Sequence, residues 1–281
     1  MLTLTPSELS VPQLHQYLLG AVGPRPICFA STVDAQGNHN LAPFSFFNVF
    51  SAKPPIAIFS PNLSGRTGAA KDTHLNIKEV PECVINIVNY SMVQQMSLAS
   101  SPYPKGVSEF EKAGFTAIAS DMVKPMRVKE SPVQLECKVF ELKEIGNCNL
   151  VMCEIVKIHI DESVLGANNL IDQQKIDLVA RMGGNWYCRA HGDALFEIEK
   201  PITTIGVGVD SVPVAFRNST ILTGNNLGQL GNLEVLPTKE EIETFAKENN
   251  LTFNSELEKH QYIKTLLDLN KVKEAWCVIL N

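Results

Sequence analysis

The stretch VQLECKVFELKEIGNCNLVMCEIVKIHI, residues 133–160, decides the fold. Two long runs of strand-forming residues, 133–145 and 150–160, flank Gly146-Asn147, a pair that suits the positive φ angles of a tight hairpin turn. Working outward, CVINIV (83–88) and IAIFS (56–60) read as buried strands. ICFASTV (27–33) is joined by the turn residues of DAQGN (34–38) to a second extended segment, which reads as a hairpin. The aromatic-rich segment 40–51 follows and is interrupted at Pro54-Pro55. Five or six strands at short spacing, with few helices between them, point to an antiparallel barrel rather than a doubly wound sheet. GVGVD (206–210) contains a GxG, but no third glycine opens a helix after it, so the dinucleotide fingerprint is missing.

Helices flank this mainly β core. Ser10 with Gln13 makes a capping box, and Leu14, Tyr17 and Leu18 continue it as a short N-terminal helix that ends at Gly20 to Gly23. From about residue 200 the chain turns rich in Gly, Asn and Ser. Two more capping boxes, Thr238/Glu241 and Ser255/Glu258, then open amphipathic helices ending near Asn249 and Asn270. The expected organisation is a barrel domain over 1–200 and a C-terminal extension over 201–281, loop-rich and then helical, packing on the barrel or serving a dimer.

Composition excludes several functions. The chain has 281 residues, 44% hydrophobic, with a formal charge of -6 and no basic run, which argues against a nucleic-acid surface. No window approaches the roughly 18 apolar residues of a membrane span, and MLTLTPSELS lacks the pattern of a signal peptide, so a cytoplasmic protein that binds no membrane is expected. Seven cysteines with no CxxC pair read as reduced core residues. Cys148 and Cys153 have no paired histidine, so no metal site is expected. No paired-carboxylate or Ser/His/Asp constellation is present, so no side chain is assigned as catalytic.

Two segments are candidates for a ligand. In SPNLSGRTGAAKDTHLNI (60–77), Ser60, Asn62, Ser64, Arg66, Thr67, Lys71 and Thr73 offer hydrogen-bond donors, and Asp72 or Thr73 is placed to cap a following helix, whose N-terminus favours anions. The same residues also suit a solvated loop that does no more than start that helix. In NLAPFSFFNVFSAKPP (40–55), phenylalanines interleaved with Ser45 and Asn48 suit a planar heteroaromatic ring. Taken alone, they suit better a core strand with phenylalanines alternating inward.

In their order, these segments resemble the flavin reductase-like, FMN-binding split-barrel family, in its flavoredoxin-type branch. The resemblance rests on Arg25-Pro26-Ile27, Ser31-Thr32, Gly37, Asn40-Leu41-Ala42-Pro43, Ser45-Phe46-Phe47, Pro54-Pro55, Lys71-Asp72-Thr73 and Arg181-Met182-Gly183-Gly184 with Tyr187, and covers roughly residues 20–200. It implies noncovalent FMN in a homodimer. Ser31, Thr32, Ala42, Phe44, Ser45, Phe46, Phe47 and Asn48 would line the isoalloxazine ring. Ser60, Asn62, Arg66, Thr67, Lys71, Asp72 and Thr73 would surround the ribityl phosphate, with Arg181 and Gly183 completing the pocket near the subunit interface.

The implied function is an oxidoreductase that passes electrons from NADH, NADPH or a protein donor through FMN to flavin, ferric iron or a partner. The alternative is a flavin-binding electron carrier without nicotinamide oxidation. Nicotinamide-using members of the wider superfamily often carry Gly-Asp-His where this chain has Gly146-Asn147-Cys148, a departure that favours the carrier. His191 follows the Arg181–Gly184 motif and is a minor candidate for substrate contact.

Overall fold

The structure is a computed structural model that describes residues 1–65, 67–198 and 200–281. Its first strands are β1 (Cys28–Val33), β2 (His39–Phe44), β3 (Phe47–Ala52), β4 (Pro55–Phe59) and β5 (Glu82–Ile87). A two-residue ladder, β6 (Ala117–Ile118) with β7 (Arg127–Val128), precedes the long pair β8 (Val133–Ile145) and β9 (Cys148–Ile160). A small hairpin, β10 (Leu178–Arg181) and β11 (Tyr187–Ala190), comes last. The helices among them are α1 (Val11–Ala21), α2 (Asp72–Glu79), α3 (Val93–Leu98), α4 (Glu109–Ala113) and α5 (Gln173–Ile176).

Seven strands form one antiparallel sheet in the order β2-β1-β5-β8-β9-β4-β3. Its two edge strands, β2 and β3, are consecutive in the chain and separated only by Ser45-Phe46. Three peptide steps reach roughly 11 Å at most. The sheet must therefore curl until its edges meet at this corner. No ladder joins β2 to β3 among the described residues, so the barrel is closed at the corner and split elsewhere. The turn expected at Gly146-Asn147 is present, with Ile145 paired to Cys148 and Gly146 at φ 58°. Register shifts at Glu136/Cys137 and Val139/Glu141 bend the long pair, as barrel curvature requires.

β1 is buried along its whole length because both of its faces are covered. Cys28 and Ala30 point into the barrel with Phe59, Ile85 and Val151, while Phe29 faces outward with Leu41, Met92, Met96 and Phe110. Phe29 meets Phe115 edge-on at 5.2 Å. Full burial of such a side chain stabilises the fold by about 1.5–3 kcal/mol. Alternation along β1 then puts Ser31 on the outer face, where its hydroxyl donates to the Met126 carbonyl, and Thr32 on the inner one.

The chain divides into two compact units, Met1–Phe196 and Glu197–Asn281. The second unit holds α6 (Val214–Arg217), α7 (Gly224–Gly231), α8 (Lys239–Glu248), α9 (Glu256–Asp268) and α10 (Val272–Leu280) around Trp276, Leu230, Ile263 and Leu267. Trp276 Nε1 donates to the Leu230 carbonyl at 2.9 Å. The two helices expected here are α8 and α9. α7 lies in a stretch that reads as loop because of its glycines, yet two of them serve packing: a Cβ on Gly206 would stand 2.2 Å from the Gly231 carbonyl, and one on Gly231 would stand 2.9 Å from the Val209 nitrogen. The capping box at Thr238/Glu241 is complete. At α9, Ser255 accepts from the Glu258 N–H, but the Glu258 carboxylate reaches back to the Asn254 N–H instead of Ser255, so the expected box is half formed. Among the described residues no helix is long and apolar enough to cross a membrane.

Candidate functional site

The loop 60–71 leaves β4 beside the corner where the barrel closes. The Ser60 N–H donates to the Phe46 carbonyl at 2.9 Å, and the Phe44 ring stacks on Phe59 at 5.8 Å. Next to Phe46, Ser45 Oγ accepts from Arg25 Nε at 3.4 Å. Arg25 is only 6% exposed, and its other nitrogens donate to the carbonyls of Leu19 (2.9 Å), Val22 (2.5 Å) and Met182 (2.9 Å). Burial first, and then the charge of Arg181, pulls the Arg25 guanidinium below the ordinary arginine value. One run of contacts thus joins the donor-rich loop, the aromatic corner, the C-terminal end of α1 and the 181–187 hairpin on one end of the barrel.

The loop folds on itself through Gly68 N–H to Ser64 O (2.7 Å) and Ser64 N–H to Ala69 O (2.9 Å). It delivers the chain to Lys71, which is the N-cap of α2 and makes no side-chain cap bond. The cap is therefore one residue earlier than Asp72 and two earlier than Thr73. Asp72 sits in the first turn, where the helix dipole favours a carboxylate. Thr73 turns inward and accepts from Asn40 Nδ2 at 2.9 Å, while Asn76 Nδ2 donates to Thr32 Oγ1 at 3.2 Å. These buried side chains fix where the first turn of α2 points. Of its leading N–H groups, that of Asp72, a partly open residue, has no acceptor within the helix and can meet an anion.

The hairpin packs on α1 backbone to backbone: a Cβ on Gly183 would stand 3.1 Å from Gly20 Cα, and Gly184 has φ 57°. Gln16 and Gly20 of α1, with Met182, Gly183, Gly184, Trp186 and Tyr187 of the hairpin, line an open groove of about 700 Å³. Arg181 donates to the Trp186 carbonyl at 3.1 Å, and its guanidinium lies over the Tyr187 ring, 4.6 Å from its centroid.

The structure therefore divides the expected residues. Ala42, Phe44, Ser45, Phe47, Asn62, Asp72, Arg181 and Gly183 are partly open, and Phe46, Asn48, Thr67 and Lys71 are exposed. Ser31, Thr32 and Thr73 have no accessible surface, and Ser60 is 4% exposed with its hydroxyl 2.5 Å from Asn62 Oδ1 and 3.0 Å from the Asn149 carbonyl. Their side chains support the site from behind instead of facing a ligand, because barrel alternation and the inward side of α2 bury them. Arg66 lies outside the described residues. His191 packs its Nδ1 3.3 Å from the Gln174 carbonyl and 3.8 Å from Asp177. Arg25, Asn40 and Asn76 were not candidates on sequence. Arg25 and Asn40 lie within the motifs that carry the resemblance, but their role comes from contacts 157 and 33 residues away.

Residues 22–177, more than half of the chain, match the family described as flavin reductase like domain. An uncharacterized protein of Aquifex aeolicus is 34% identical over 186 residues, 66% of this chain and 94% of that one. Among solved structures, nitrilotriacetate monooxygenase component B from Bacillus cereus aligns with a TM-score of 0.65 at 28% identity, covering 70% of this chain and 98% of that one. The 2-nitrobenzoate 2-nitroreductase of Pseudomonas fluorescens aligns with a TM-score of 0.63 at 26% identity, covering 73% and 100%.

Proposed function

Because the chain belongs to the flavin reductase-like family and is a flavin-related oxidoreductase, we propose that its cofactor is noncovalent FMN, reduced by NADH, NADPH or a protein donor. The electrons pass on to free flavin, ferric iron or a partner protein. The observation that carries this is the convergence at one barrel end of a donor loop, a helix N-terminus and an aromatic corner. Lys71 has no carboxylate within ion-pair distance among the described residues, which suits a phosphate dianion. Asn62 and Thr67 stand on the same loop, and Ala42 to Asn48 offer apolar surface for the ring. When bound, the flavin supplies two-electron transfer at its N5, and the protein supplies position and electrostatics.

The pocket asks for a second subunit. Tyr17 and Leu18 of α1, Val22 just after it, Val49 and Phe50 of β3, and Trp186 of the hairpin are all exposed, and apolar surface of that extent is covered in a homodimer. Light scattering giving a monomer mass at micromolar concentration would refute the dimer.

The turn at 146–148 favours the carrier reading over direct nicotinamide oxidation. Its Asn147 carbonyl accepts from Leu63 N–H at 3.1 Å and Cys148 Sγ lies 3.4 Å from Ser60 Oγ, so the turn borders the donor loop with no acid or imidazole of its own. Chromatography of the released flavin, followed by anaerobic spectra with NADH and NADPH, tests both points. A protein that binds no added FMN would sink the proposal.

A further inference from the structure

Three cysteines meet in the barrel core. Cys83 of β5 stands directly opposite Cys137 of β8, and Cys153 of β9 stands opposite Val139, two residues further along β8. All three are 0% exposed, and their Sγ atoms lie within 4.8 Å of one another. Cys137 and Cys153 spend their weak S–H donors on the carbonyls of Leu135 and Ala57, both at 3.4 Å. The hydrophobic side chains clustered with them include Cys28, Ala30, Phe59, Ile85 and Val151. The sequence hides this grouping, since 54 and 16 residues separate its members.

Three sulfurs around one centre at a bond length of about 2.3 Å stand about 4 Å apart in a planar arrangement and about 3.4 Å apart in a pyramidal one, and both fall within this spacing. Soft thiolates select soft centres and reject hard oxygen-seeking cations. Charge then decides among the soft ones. Three thiolates around a monovalent or divalent ion leave a net negative charge, and an uncompensated charge in an apolar interior costs several kcal/mol. A trivalent centre leaves none. We propose that Cys83, Cys137 and Cys153 form a tris-thiolate site for trivalent arsenic, bound as a neutral complex inside the barrel. Three As–O bonds of arsenous acid break and three As–S bonds form. Each thiol proton leaves with a hydroxide as water, and no electron changes hands. Because the thiols are sealed, uptake waits on opening of the β5-β8-β9 ladder and is slow compared with mixing.

The test incubates the reduced full-length protein, freed of reductant, with sodium arsenite, and measures arsenic per chain after gel filtration. X-ray absorption at the arsenic edge counts its sulfur neighbours. The expected result is one arsenic per chain, three sulfurs, slow uptake and a raised melting temperature. A Cys148→Ser/Cys188→Ser/Cys277→Ser variant should bind as well as the parent, and Cys137→Ala should lose affinity by about a hundredfold or more, as removal of one arm of a chelate predicts. Should Cys137→Ala fail to fold, alkylation of the loaded parent after denaturation replaces it: Cys83, Cys137 and Cys153 stay protected while the other cysteines react. Absence of retained arsenic, uptake within mixing time, fewer than three sulfurs, or protection of other cysteines would overturn the proposal.

Discussion

Replacement of Arg25 by methionine removes a buried guanidinium that holds three carbonyls, two at the C-terminal end of α1 and one in the 181–187 hairpin. Methionine keeps the length of the stem and loses the charge and every donor. Hydrogen bonds from a charged donor are worth about 1.5–3 kcal/mol each. They are not additive here, because the Leu19 and Val22 carbonyls share one nitrogen and all three reach water once the hairpin lifts. The net loss is therefore about 2–4 kcal/mol. For a unit of this size each kcal/mol lowers the melting temperature by about 2–4 °C, so a fall of roughly 4–16 °C is expected. Arg25→Lys should recover about half of it, since an ammonium keeps the charge at the helix end without the planar fork that reaches α1 and the hairpin together. Hydrogen exchange then locates the loss. Amides of residues 11–22 and 181–190 should exchange faster in Arg25→Met, and those of β8 and β9 should be unchanged. A stability change within about 0.5 kcal/mol, the scale of a neutral surface substitution, would refute the clip. So would exchange that rises evenly over the barrel, because that would make Arg25 a general core residue.

Three other outcomes follow from the same geometry. Lys71→Ala should weaken FMN binding by about tenfold to a hundredfold in a fluorescence titration while leaving the melting temperature in place, since Lys71 makes no side-chain bond at the helix cap. Burial, with the Lys78 charge second, lowers the His74 imidazole, and burial likewise lowers His39; each therefore takes up a proton less readily folded than unfolded, so the stability present above the ordinary histidine value of about 6.5 is lost as pH falls from there toward the lowered folded-state value. Urea titrations at pH 7.5 and 5.5 should show this loss reduced in His74→Gln, and an equal loss in both proteins would refute it. Reduction of the bound flavin by NADH or NADPH in anaerobic stopped-flow should be slow, whereas dithionite reduces it fully; fast bleaching by either nucleotide would show that having Asn147-Cys148 in place of Asp-His is harmless.

Legibility in the sequence followed the range of the interaction. The hairpin of β8 and β9 is local, its turn fixed by Gly146-Asn147, and the expected second strand is short of the observed one by only Cys148 and Asn149. The capping boxes at Ser10 and Thr238 are local too. The loop from 60 to 73 was legible as a cluster of donors, but which of them face outward was not, because that depends on how α2 sits. Ser60 and Thr73 look like Asn62 and Lys71 in a sequence. Only the register of β4 against β9, and the Asn40 side chain coming from β2, turn the first two inward.

The closure of the barrel is the instructive case, because it was half legible. The segment 40–51 reads as one aromatic-rich stretch, and nothing in its composition marks Ser45-Phe46 as the point where one edge of the sheet becomes the other. Once the ladder order is known, the two-residue link leaves no alternative: β2 and β3 lie at opposite ends of a seven-strand sheet, so the sheet must wrap to bring Phe44 near Phe47. That corner then carries the rest. Phe44 packs on Phe59 inside, Phe46 is left exposed outside and its carbonyl holds the start of the donor loop, and Ser45 takes the Arg25 bond that ties in α1 and the hairpin. The candidate site sits at this end of the barrel, where the two-residue link that closes the fold also brings the donor loop, the aromatic corner and the hairpin together.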